Sequence, residues 1–92
     1  MKYKYFKYKV EAMGFVVNFK PFGATEVRNK QGQWLASVWG QVPYNFMINQ
    51  DYWDMKLWGS EEKRRLLCPL VMQLASTEIN NRGRFPVSEV AS

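Results

Sequence analysis

The chain has no histidine, and Cys68 is its single cysteine. The first absence removes the Ser-His and Cys-His nucleophile pairs, every histidine metal ligand and the ordinary acid/base group that titrates near neutral pH. The second excludes an intramolecular disulfide framework. Long apolar runs are missing too, and the N-terminus alternates Lys with Tyr where a signal peptide needs a continuous apolar stretch. The expectation is a soluble, cytoplasmic protein with no membrane association. Glycine-rich phosphate loops and Cys/His metal spacings are also absent from the sequence, so no small-molecule cofactor or metal is expected.

What is present is hydrophobic and aromatic: 47% and 16% of the chain, far from the composition of disordered proteins. One domain is expected over residues 1–84, with a loose C-terminal tail over 85–92 that has little left to bury. The formal net charge of +5 is unevenly spread. Residues 1–30 hold seven Lys or Arg against Glu11 and Glu26, whereas residues 31–92 hold six of each sign. A basic end suits nucleic acid or an acidic partner, although a charge cluster in a small protein is more often a solvated face.

The rest of the chain is read around TEVRNKQGQWLASVWG, residues 25–40, as two strands reversed at Gln31-Gly32. Before it, KYKYFKYKVEAMG is open to two periods. Lys2 and Lys4 alternate with Tyr3 and Tyr5 as in a strand, yet Tyr3, Phe6, Val10 and Met13 recur at helical spacing and Gly14 stands where a helix ends. The helix is preferred. FVVNFK then alternates as a first strand, PFGA turns, and a second strand follows with Val27 inward. The third strand has apolar residues on both faces: Trp34, Ala36 and Val38 on the core side, Leu35 and Trp39 on the other. A fourth alternating strand carries Phe46 and Ile48. Residues 51–59 read as an aromatic loop that packs.

Ser60 is placed to cap a C-terminal helix, with Glu61 and Glu62 in its first turn and Leu66, Leu67, Leu70, Val71 and Leu74 as its stripe. Pro69 interrupts that stripe and predicts a kink or a break near Leu67 or Cys68. The fold class is therefore α+β: a four-stranded antiparallel meander with an N-terminal helix and a kinked C-terminal helix packed on one face. The expected core is Phe6, Val10, Met13, Phe15, Val17, Phe19, Val27, Trp34, Ala36, Val38, Phe46, Ile48, Leu67, Leu70, Val71 and Leu74.

The run QGQWLASVWG, a strand ending near Tyr and Asn residues, and a helix closing on LASTEINNR together resemble small uncharacterised phage and prophage proteins of Gram-positive bacteria. The resemblance covers about residues 10–84 and implies a bacterial host cell and this element order. It supplies no site residues. In similar sequences Pro commonly stands where this chain has Glu78.

Candidate chemistry is thin. Cys68 has no local base and lies on or beside an apolar stripe, which suits a small buried hydrophobe better than a nucleophile. Asp51 with Asp54, and Glu61 with Glu62, suit turn and capping roles better than paired acid/base work. No enzyme is expected. Four tryptophans in so short a chain cannot all be enclosed. Tyr52, Trp53 and Trp58 either seal the core edge or form an interface hot spot. Two binding readings follow. The preferred one is an apolar patch of Val16, Leu35, Trp39 and Met47, joined by Trp53 and Trp58 as candidate interface residues, covered by a second copy or a protein partner. The alternative is single-stranded nucleic acid on Lys20, Arg28 and Lys30, with Trp39 as a stacking platform and the N-terminal lysines nearby.

Overall fold

The computed structural model describes residues 1–86 of the 92. In chain order the elements are α1 (Tyr3–Ala12), β1 (Val16–Phe19), β2 (Ala24–Arg28), β3 (Trp34–Trp39), β4 (Phe46–Ile48), α2 (Met55–Trp58), α3 (Glu61–Ser76) and a 3-10 turn over Ile79–Asn81. The four strands pair antiparallel in sequence order, and α1 and α3 pack together on one face of the sheet. The expected α+β architecture is the one observed.

In the first stretch the helical period prevails. Tyr3, Phe6 and Val10 all lie buried on one side of α1, a grouping that alternation would have split between two faces. Gly14, at a φ of +93°, ends the helix in the left-handed region while its N–H reaches the Glu11 carbonyl at 3.0 Å.

The central hairpin turns on Asn29 rather than on Gln31-Gly32 alone. Its side-chain oxygen accepts from the N–H groups of Gln31 (3.1 Å) and Gln33 (2.9 Å), and its amide donates to the Gln33 side chain and, at 3.0 Å, to the carbonyl of Leu57. One side chain thus shapes the turn and ties α2 to it. Residues 51–59 are not all loop. Asp54 accepts from the Lys56 N–H at 3.1 Å and caps the single helical turn α2.

A bulge in β3 overturns part of the expected core. Arg28 pairs with Trp34 but Val27 pairs with Ala36, so Leu35 is one residue extra opposite that step. Leu35 is thereby driven into the core, fully buried, while Trp34 swings to the outer face beside Arg28. There the Trp34 indole N–H donates to Ser37 Oγ at 2.7 Å. Beyond the bulge the alternation resumes: Ala36 and Val38 face inward, as their spacing predicts.

Helix α3 begins as its sequence dictates, with Ser60 Oγ accepting from the Lys63 N–H at 3.1 Å. It then runs unbroken through Pro69, so no break forms. Pro69 and Arg65 are both exposed, on the side of α3 away from the core. The C-terminal segment departs from expectation. Phe85 packs edge-on against Tyr3 and Phe19, at ring separations of 5.2 and 5.5 Å, and Pro86 is buried. The tail expected from residue 85 is therefore docked through 86; its remainder, 87–92, lies outside the described residues.

Arg82 anchors this docking. It is almost fully buried, and its guanidinium donates to the carbonyls of Thr77 (3.0 Å), Trp39 (3.1 Å) and Ala75 (2.9 Å). Ala75 and Thr77 carry carbonyls at the end of α3, where the helix itself supplies no donors and its dipole favours a cation.

Candidate functional site

The residues proposed for a protein interface do not form one surface. Leu35 is core, for the reason just given, and Trp58 is core as well, fully buried with its indole N–H on the Asp51 carbonyl at 3.1 Å. Both are withdrawn as interface residues. Trp39 is half-buried on the outer sheet face, and Met47 on β4 is exposed on that same face with Val16. Trp53 is 78% exposed and lies elsewhere, over the buried Arg64. The Arg64 guanidinium sits 4.0 Å from the Tyr52 ring centre and 4.6 Å from that of Trp53, while donating to the Tyr52 carbonyl at 2.8 Å. Trp53 therefore covers a cation against α3.

The basic sheet face also loses its members. Lys20 and Arg28 both approach one carboxylate, Glu26, at 3.7 and 3.1 Å, and Arg28 adds a bond to the Gly32 carbonyl at 2.8 Å. Glu26 offsets one of the two positive charges and draws both side chains toward itself across the sheet. Lys30 stands apart at the hairpin tip, near Lys56 and Lys63, and the guanidinium beside Trp39, that of Arg82, is buried and bonded to the Trp39 carbonyl. The outer face thus offers a phosphate chain no continuous positive track.

Two other surfaces are more pronounced. The first is one end of the sheet, where the β1–β2 turn and the β3–β4 connection meet: Gln41 donates to the Phe22 carbonyl at 3.1 Å. Phe22, Val42 and Tyr44 are all exposed there. Their signal in the sequence was a cluster of apolar residues inside turn segments, where polar ones are the norm. The second is the outward side of α1, where Tyr5 and Tyr8 are exposed among Lys4 and Lys9. The alternation of Lys with Tyr carried that signal.

Comparison with family models, curated proteins and solved structures finds no match. The surfaces must be weighed on their chemistry. Among the described residues no group of three or more Asp, Glu, His or Cys is placed to hold a metal, and no helix is long and apolar enough to cross a membrane.

Cys68 lies buried on α3 with a free thiol. Burial pushes its pKa above the usual 9.0, and the nearby Arg64 charge only partly opposes that rise. The folded chain consequently keeps the thiol proton to a higher pH than the unfolded chain does. Stability is expected to decline as pH climbs past 9.0, and labelling of native protein by a thiol reagent at neutral pH should be far slower than labelling in denaturant. Equal labelling rates in the two states would contradict a closed, protonated thiol.

Proposed function

We propose that this is a non-catalytic protein that works by contact with another protein chain, through the sheet end formed by Phe22, Val42 and Tyr44. The observation that carries the reading is the backbone of Tyr44. It is the only non-glycine among the described residues with positive φ, at +63°, and its side chain is 72% exposed. Such a conformation costs about 1 to 2 kcal/mol in an L-residue. A bond from the Tyr44 N–H to the Ala75 carbonyl at 2.7 Å holds it. The outlay is not recovered by burying the ring within this chain. Contact with a second chain, where Tyr and Phe concentrate in interface centres, gives the exposed ring a use.

The first occupant to test is a second copy. Light scattering should give a mass that climbs toward two chains with concentration, and both Tyr44→Asp and Phe22→Asp should hold it at one chain with an unchanged melting temperature. A single-chain mass for the wild type at every accessible concentration would withdraw self-association and leave this end for a different protein. A bacterial cytoplasmic setting and a phage or prophage origin belong to the same proposal. They draw support from the likeness of QGQWLASVWG and LASTEINNR to such proteins.

A further inference from the structure

We propose that the outward face of α1 binds single-stranded nucleic acid, a site separate from the apolar sheet end and independent of it. The basic N-terminal third of the sequence finds its exposed form here. Lys2, Lys4, Lys9 and Arg84 are exposed, and none has a carboxylate within ion-pair distance among the described residues. The one acid of the helix, Glu11, directs a carboxylate oxygen toward the Val17 N–H at 3.4 Å.

Aromatic surface lies among these cations. Tyr8 is 71% exposed and Tyr5 half exposed, with the Lys9 ammonium 5.7 Å from the centre of the Tyr5 ring. The helix period explains the grouping. Tyr3, Phe6 and Val10 take the inner stripe, which turns Lys4, Tyr5 and Tyr8 outward. Lys4 and Lys9 are separated by about 7.5 Å along the axis at the usual rise per residue. Shallow clefts flank the ridge, one lined by Lys2, Lys4, Tyr5 and Arg84, the other by Tyr8, Lys9, Met13 and Leu66.

The chemistry selects the ligand. Lysine is depleted from the centres of protein interfaces, whereas ammonium groups interspersed with exposed rings match the phosphates and unpaired bases of a single strand. In a duplex the bases are stacked on one another and closed to the tyrosines.

The test is fluorescence anisotropy with a labelled, mixed-sequence single strand of about 12 nucleotides, a length within the reach of one small domain. Micromolar binding is expected at low salt. Its logarithmic dependence on salt should have a slope of about −3, from four cationic contacts at about 0.7 each. Lys4→Ala and Lys9→Ala should each flatten that slope by about 0.7, while Lys20→Ala leaves it unchanged. Tyr8→Ala should weaken binding about five-fold or more at the same slope, and Tyr8→Phe should restore it. These side chains are exposed, so unchanged melting curves will separate lost binding from lost fold. Absence of saturable binding at low salt would overturn the proposal. So would tighter binding of a duplex or of a poly-glutamate peptide of equal charge, or indifference to Tyr8→Ala.

Discussion

Arg82→Ala is expected to destabilise the fold by about 3 to 4 kcal/mol, seen as a lower urea midpoint at unchanged m-value. A domain of this size has only about 5 to 14 kcal/mol in total, so the variant should approach marginal stability. The cost comes from three carbonyls that lose a charged donor together, those of Trp39, Ala75 and Thr77, and from the space left by a side chain that is 1% exposed. The loss should extend beyond the residue. Arg82 also offers its carbonyl to the Tyr3 N–H at 2.8 Å, so α1, the sheet end and the segment carrying Phe85 are held by the same few atoms. Arg82→Lys should recover less than half of the difference, because one ammonium cannot reproduce a planar fork aimed at three acceptors. A change below about 1 kcal/mol for the alanine variant would mean that water reaches those carbonyls freely.

Trp58→Ala should cost about 3 to 5 kcal/mol, the range for deleting a large enclosed aromatic. Its ring is fully buried and its N–H occupies the Asp51 carbonyl. Trp53→Ala, only five residues away, should stay within about 1 kcal/mol, since it removes an exposed ring from over Arg64. Chemical denaturation of the two variants side by side distinguishes a core residue from a surface one. Comparable losses would show that Trp53 is part of the core's support. Leu35→Asp is no probe of binding: it places a carboxylate in the core, and any effect on association would follow from unfolding.

The order of the four strands and the two long helices, the inward stripe of α1, the N-cap of α3 and the alternation of β1 and β2 were all legible in the sequence. Each is a periodic or nearest-neighbour property, written in residues close along the chain. Phe6 and Val10 share a helix face whatever lies beneath them, and Ser60 with Lys63 needs only one turn to close its bond. The candidate site was less legible. A run of Lys and Tyr announces charge and rings, but which of them face outward follows from where the inner stripe packs. The polar surroundings of Lys20 and Arg28 depend on Glu26 turning to meet both.

The sequence by itself determined the fold class, the meander and the basic character of the N-terminal third, because local hydrophobic pattern and composition suffice for these. Tertiary structure alone decided that Leu35 goes inward and Trp34 outward, since the bulge is a property of how β2 and β3 register and not of either strand. It alone decided the burial of Trp58, the bond from Arg82 to a carbonyl 43 residues away and the docking of Phe85. Such contacts join segments distant along the chain, and their free energy depends on burial and geometry that exist only once those segments have met.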